Sequence, residues 1–400
     1  MPRFPGMYQW NDTVARRFPQ LSKPVARCLA LWTIGMIVAR SCALTSVAWA
    51  LQPLLELKFD TVRERLRDLY REAEAKCGDQ RCELDLGTCW GPWLAWVIEG
   101  WQSRQLALAL DATNLSDQFT VLALSVLYRG CAVPVAWKIL KANQKHSWQP
   151  EWKCLLSHFR QRLSADWTVI VLTDRGLYAQ WLFQAITALG WHPLMRISSK
   201  RGKYRARGHY HWSDLSTLIT HVGQRWQGRV TLHKKTRIQL ECTLLAYWGE
   251  GHEEPWLVLT DLPPEAANVC WYGMRSWIEQ GFKRIKRGGW QWQYTRMKDP
   301  ARAERLWLAV AIATWWLLSV GGETDETIPA ETMQKAPQTQ RSRRPHWRLI
   351  AVFKHGWYQI IAALMMHRRR LPIAPARPEP WPEFPLISET GPPGAKNLQL

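Results

Sequence analysis

The sequence predicts an α/β protein: a mixed sheet flanked by helices, with an N-terminal helical domain before it and a β-rich insertion within it. Three observations predict this. Apolar runs of strand length recur between residues 106 and 197, first back to back and then alternating with helical segments. The residues before them have helical period and no strand runs. From Lys200 to Thr260 the helical period fades into strand-like runs, RVTLHKKTRIQLECTLLAYW and EPWLVLTDL.

Residues 1–20 are polar and are expected to be loose. Residues 21–76 read as helices, SKPVARCLALWTIGMIVAR and then LTSVAWALQPLLE. Cys28–Leu51 is long enough to cross a membrane. Arg40 and several Ser and Thr interrupt it and no second span accompanies it, so one or two buried helices are the reading. LTSVAWAL has the look of a small helix-turn-helix piece. Asp60–Lys76 reads as a charged amphipathic helix. LALALDAT, FTVLALSVLYRG and CAVPVAWKIL read as a three-stranded meander, with Arg129-Gly130 as a turn. A helix over Pro150–Ala165 follows, then the strand WTVIVLT, a helix over Leu177–Leu189 and the strand HPLMRIS. Helices are expected again over Glu265–Arg287 and Asp299–Val320. Gly321–Pro345 has linker composition. A short helix around Leu349–His367 and a Pro-rich, disordered tail beginning with the RRR of 368–370 close the chain. The expected division is 1–100 N-terminal helical DNA-binding region, 101–199 first part of the core, 200–262 β-rich basic insertion, 263–321 completion of the core, and 322–400 linker and basic tail.

A chain of 400 residues with 47% hydrophobic residues can bury a sizeable core, which excludes wholesale disorder. Its 53 Lys+Arg against 33 Asp+Glu give a formal charge of +20 and point to a polyanionic partner, nucleic acid first and an anionic membrane surface second. The excess is uneven: Arg196–Arg237 holds eleven Lys and Arg and one acid, Asp214. Nine scattered cysteines suit reduced thiols in a cytosol. The cluster Cys77, Cys82 and Cys89 lacks the fourth ligand and the tighter pairing that zinc requires. Most of the 27 tryptophans are expected in packing, with a few free to stack on bases.

Three carboxylates stand out. Asp111 lies in the C-terminal part of one apolar strand and Asp174 ends another, where open α/β sheets expose functional side chains. Either could also be an ordinary turn or capping aspartate. The third is Glu279, the one acid of WYGMRSWIEQGFKRIKRGG (271–289). On a continuous α-helix Arg275, Glu279 and Lys286 would lie about 60°, 20° and 40° to one side of Tyr272. One face would then carry Tyr, Arg, Glu and Lys, opposite an apolar face of Met274, Trp277, Ile278 and Ile285. Phosphodiester cleavage by two divalent ions needs such a mixture: carboxylates to hold the ions, and cations to hold the phosphate. Mg2+ takes oxygen ligands. Arg275 can fork onto a phosphate, Lys286 can act as a point charge, and Tyr272 can donate a hydrogen bond.

The run Tyr272-x2-Arg275-x3-Glu279-x6-Lys286, beside Asp111 in LALDAT and Asp174 in LTDRG, resembles the Y-R-E-K signature of bacterial insertion-sequence DDE transposases. The resemblance covers roughly residues 25–320 in organisation. It implies a ribonuclease H-like catalytic core in which Asp111, Asp174 and Glu279 are the catalytic, metal-binding triad, and a mainly β insertion between the second Asp and the Glu. It implies two Mg2+ ions, with Mn2+ as a substitute, and Tyr272, Arg275 and Lys286 on DNA phosphate. It further implies cut-and-paste transposition by a dimer in a synaptic complex. That complex would take double-stranded DNA as terminal inverted repeats and target, often through a hairpin intermediate. The expected location is the bacterial cytosol, associated with the nucleoid, and not a membrane. An insertion tryptophan, Trp248 or Trp256, would stack on a flipped base. A structure-selective nuclease of similar fold and a noncatalytic basic DNA-binding protein are the alternatives.

Overall fold

The computed structural model describes residues 5–77, 81–115, 117–142, 147–159, 162–233, 239–327 and 351–383. They divide into two compact units, one drawn from residues 1–197 and 275–379, the other from 198–274 and from 380 onward.

The first unit opens with helices α1 (Pro5–Arg17), α2 (Lys23–Ala39), α3 (Leu44–Leu55), α4 (Phe59–Arg67) and α5 (Trp90–Val97). Helix α1 corrects the expectation of a loose N-terminus. Met7, Trp10, Val14 and Phe18 recur at helical spacing and are buried. Trp10 stacks on Trp316 at 3.6 Å and donates its indole N–H to Thr33. Helices α2 and α3 meet at 97°, the angle of a helix-turn-helix pair, and α2 is capped by Arg40 in the left-handed region at φ 49°. The charged helix expected over Asp60–Lys76 is shorter: α4 stops at Arg67, and a turn of 3-10 helix follows at Ala73–Ala75.

The sheet of this unit holds β1 (Gln105–Leu115), β2 (Phe119–Tyr128), β3 (Cys131–Lys141), β4 (Thr168–Thr173) and β5 (His192–Ile197), in the order β3-β2-β1-β4-β5. β1, β2 and β3 are antiparallel neighbours, whereas β4 runs parallel to β1 and β5 parallel to β4. Helices α6 (Gln149–Ser157) and α7 (Gln180–Thr187) supply the crossovers that parallel strands require. This is the mixed sheet that the β-β-β-α-β-α-β pattern predicts, in the ribonuclease H-like arrangement that the resemblance implies. The register between β1 and β4 pairs Leu110 with Thr173. Asp111 and Asp174, each one residue further on, therefore emerge side by side.

Helix α8 (Ser276–Lys283) lies on β3, and α9 (Pro300–Thr327) is the long apolar helix of the core. By length and composition Pro300–Glu323 could cross a membrane, but 94% of its most apolar window is buried inside the fold. Among its few polar groups, Glu304 accepts the N–H of Ile139 at 2.9 Å and pairs with Lys138, occupying a backbone donor of the outer strand β3. Nine of the largest fully buried side chains are tryptophans, among them Trp307 and Trp316 of α9.

Two readings at the C-terminal end are corrected. The Gly321-Gly322 pair does not begin a linker: α9 continues through it to Thr327. A Cβ on Gly321 would come within 2.0 Å of the Val352 carbonyl, and one on Gly356 within 1.8 Å of the Leu317 carbonyl. The glycines let α9 and α10 (Val352–Met365) touch backbone to backbone. The remainder of the expected linker, 328–345, lies outside the described residues. Of the tail expected to be disordered, residues 371–376 are pinned, and 384–400 lie outside the described residues. Leu371, Ala374 and Ala376 are buried, the Leu371 N–H donates to Gln9 Oε1 at 2.7 Å, and Trp316 donates to the Pro372 carbonyl at 2.8 Å.

The second unit holds β6 (Lys203–Ala206), β7 (Ser213–Asp214), β8 (Arg225–Leu232), β9 (Leu240–Tyr247) and β10 (Trp256–Thr260), ordered β10-β9-β8-β6-β7 with antiparallel pairings. Its cations are partly matched: Lys200 pairs with Glu254 and Lys203 with Asp214.

Candidate active site

The stretch 269–288 is not the single helix that Glu265–Arg287 was expected to form. Val269–Arg275 is 3-10 helix, Ser276–Lys283 is α8, and Arg284–Gly288 is a π-turn. The changes of pitch break the common face computed for a uniform α-helix. Arg275, Glu279 and Lys286 belong to the first unit. Tyr272 belongs to the second, where it is buried edge-on against Trp256 at 5.3 Å. Met274, Ile278 and Ile285 are buried as the pattern predicts, whereas Trp277 is half-buried.

Glycine 281 explains how α8 sits. A Cβ there would lie 2.9 Å from the Ala132 carbonyl oxygen and 3.0 Å from the Ala132 Cβ on β3. Bare backbone lets the helix settle on the sheet while Ile278 and Phe282 bury around it. Glu279, one turn after Arg275, is thereby placed beside the guanidinium that reaches Asp111 and Asp174.

Three carboxylates converge on one guanidinium. Arg275 Nη2 lies 2.9 Å from Asp111 Oδ2 and 3.5 Å from Asp174 Oδ2, and Nη1 lies 2.5 Å from Glu279 Oε1. The second oxygen of each aspartate is held by its own backbone. Asp111 Oδ1 accepts the Ala112 N–H at 2.8 Å, and Asp174 Oδ1 accepts the Leu177 N–H at 3.0 Å. These bonds turn both Oδ2 atoms to the same point. Asp111 and Arg275 are nearly enclosed, at 14% and 15% side-chain exposure, while Asp174 and Glu279 open to solvent at 38% and 52%. Burial pushes the Asp111 carboxyl up to about 6; Arg275 pulls it down, and Asp174 and Glu279 push it up.

A family model described as "Transposase DDE domain" matches residues 107–316, which contain all three carboxylates and Arg275. The chain belongs to the DDE transposase family. Its function is DNA transposition, the family's cleavage and joining of DNA strands. The transposase is also similar in structure to the piggyBac transposase of a synaptic complex with hairpin DNA, at a TM-score of 0.37 and 9% identity over 90% of this chain and 77% of that one. No curated protein sequence matches it.

The DDE family uses divalent metal ions. The transposase's donor set fits such an ion: three carboxylates, all oxygen, with two of the acceptors aimed by backbone bonds. As the side chains stand, no group of three His, Cys, Asp or Glu among the described residues forms a ready cage. The Arg275 guanidinium holds the place of a cation between the acids, and its Nε, buried, has no hydrogen-bond partner. Lys286 lies within electrostatic reach of Asp111; burial pushes its ammonium down, Arg287 acts in the same direction, and Asp111 opposes both.

The residues of the other motifs lie elsewhere. Trp248 donates its indole N–H to the His252 carbonyl, and Trp256 packs between His252 and Tyr272. Cys77 and Cys82 are exposed and Cys89 is buried; all nine cysteines are free thiols. The sequence reading gave Arg275 to phosphate and missed its contact with the triad. The signal was the Arg275–Glu279 spacing of four, which on a helix places a cation beside a carboxylate.

Proposed function

We propose that this transposase works by cut-and-paste transposition of a bacterial insertion sequence, with Asp111, Asp174 and Glu279 as its catalytic, metal-holding triad. The observation that carries the reading is the convergence of these three acids, 63 to 168 residues apart in sequence, on one point where β4 ends beside β1. Asp111, Asp174 and Glu279 would hold two Mg2+ ions, for which Mn2+ would substitute. When bound, the ions activate the attacking oxygen and stabilise the leaving one.

The protein's own groups do the rest. The backbone N–H groups of Ala112 and Leu177 fix the aspartates so that little reorganisation is needed. The enclosure of Asp111 strengthens its interaction with any cation that reaches it. Arg275 and Lys286 would carry the scissile phosphate, Arg275 by a two-pronged contact and Lys286 as a point charge. The DNA would be the element's terminal inverted repeats and then the target, held by a dimer in the bacterial cytosol. Arg196–Arg237 and the N-terminal helices would contact the backbone.

The test is Asp111→Asn, which keeps shape and removes the charge. Mg2+-dependent nicking of terminal-repeat DNA and joining of the freed 3′ end to a plasmid should both fall by at least about a thousandfold. Undiminished nicking would remove Asp111 from the reaction. Nicking by the wild type that ignores the element's ends, with no joining, would favour a structure-selective nuclease instead.

A further inference from the structure

Three acids that must receive divalent cations are occupied by a cation of the protein's own. We propose that Arg275 is a latch: in the DNA-free protein it competes with metal for the triad, and it releases the carboxylates when a DNA phosphate takes the guanidinium. The inference rests on the triad reading above. Geometry supports it in three ways. Arg275 reaches all three acids at 2.5–3.5 Å, so no triad member is left with both oxygens free of it or of backbone. Its Nε is buried without a partner, an arrangement that wastes a donor and favours leaving it. Arg275 also stands at the junction of 3-10 helix and α8, where a side chain can swing without unwinding a regular helix. Such a latch keeps the DNA-free protein poor in metal and couples metal loading to DNA binding.

The experiment reads Mn2+ binding, not turnover. DNA-free protein is titrated with Mn2+ and the free ion is followed by its electron paramagnetic resonance signal. Arg275→Ala should bind at least about tenfold more tightly than wild type, and Arg275→Lys, which reaches fewer carboxylates, should fall between. The gain should vanish when Asp111→Asn is added. Equal or weaker binding by both folded Arg275 variants overturns the latch. If Arg275→Ala does not fold, Arg275→Lys decides alone. Failure here, with cleavage still abolished by Asp111→Asn, leaves the triad assignment standing.

A different feature carries a second proposal. Gln9, Asp12, Ala15 and Arg16 of α1 and Arg369 and Arg370 line an open cleft of about 730 Å³. Three exposed guanidiniums face one carboxylate, Asp12, and none of the three makes an ion pair among the described residues. The segment is held in place by the Leu371–Gln9 bond and by the Trp316 indole on the Pro372 carbonyl. We infer that this cleft binds the phosphate backbone of duplex DNA outside the catalytic centre. Unneutralised guanidiniums on an anchored backbone suit phosphate oxygens, and their contact is independent of base sequence. The triple variant Arg16→Ala/Arg369→Ala/Arg370→Ala, checked for folding by thermal melting, is compared with wild type on a long duplex across salt concentrations. The slope of log affinity against log salt should shrink by about three, near 0.9 per lost phosphate contact. An unchanged slope overturns the assignment. If the triple variant melts early, Arg369→Ala/Arg370→Ala should lose about two, and no loss overturns it equally.

Discussion

One guanidinium reaches carboxylates that the chain brings from positions 111, 174 and 279. Removing it has a predictable electrostatic sign. Burial already holds Asp111 up at about 6, and Arg275 is the main influence pulling it down. In Arg275→Ala, therefore, the Asp111 carboxyl should titrate higher still, as followed by carbon NMR of the side-chain carboxyl; a lower titration point would mean that Arg275 does not sit where the contacts place it. Glu72 shows the opposite case. The forked bond from Arg302, at 2.6 and 3.0 Å, and the nearby Arg305 hold it down from 4.5 to about 2. Its stabilisation is present above its unfolded value and fades as pH falls towards about 2. Wild type should thus lose more of its urea midpoint than Glu72→Gln as pH is lowered through that window. At this scale the sequence singled out the three acids that the fold brings together on Arg275, the two aspartates because an acid set in an apolar strand is costly to bury without a cation. It did not carry the Arg275–Asp111 contact, which joins residues 164 apart and exists only after β1, β4 and α8 have packed.

Helices and strands add constraints that single residues do not show. Gly321 and Gly356 set the distance between α9 and α10, and an alanine at either would meet a backbone carbonyl rather than a pliable side chain. Gly356→Ala should lower stability by about 1–3 kcal/mol, measured by denaturant unfolding. Gly281→Ala tests positioning instead. The methyl would press on Ala132 of β3, lift α8 and carry Glu279 away from the aspartates. DNA nicking should then fall more steeply than stability does, and equal losses would point to a purely structural glycine. The period-2 and period-3.6 patterns made β1 to β5, α6, α7 and α9 legible, since each element buries a face that its own residues mark. Glycine was misread at 321 and 322, because a breaker in isolation becomes a contact surface once another helix arrives. The polar tone of residues 1–20 and the arginines of 368–370 likewise masked a buried stripe at Met7, Trp10 and Val14 and an anchored strap at Leu371.

Across the molecule, a formal charge of +20 and a ribonuclease H-like unit holding a carboxylate triad fit a protein that must grip DNA and act on its backbone. The charge was legible from composition alone, whereas its partition was not: Lys200 and Lys203 are paired within the second unit, while Arg16, Arg369 and Arg370 remain unneutralised among the described residues of the first. The account stands on the triad acting as one cation site. Crystals of the transposase bound to terminal-repeat DNA and soaked in Mn2+ give the direct measurement, by anomalous scattering. The predicted result is an anomalous peak within coordination distance of Asp111 and Asp174, with Arg275 turned from the acids onto a DNA phosphate. Manganese bound elsewhere, with Arg275 still bridging Asp111, Asp174 and Glu279, would contradict it.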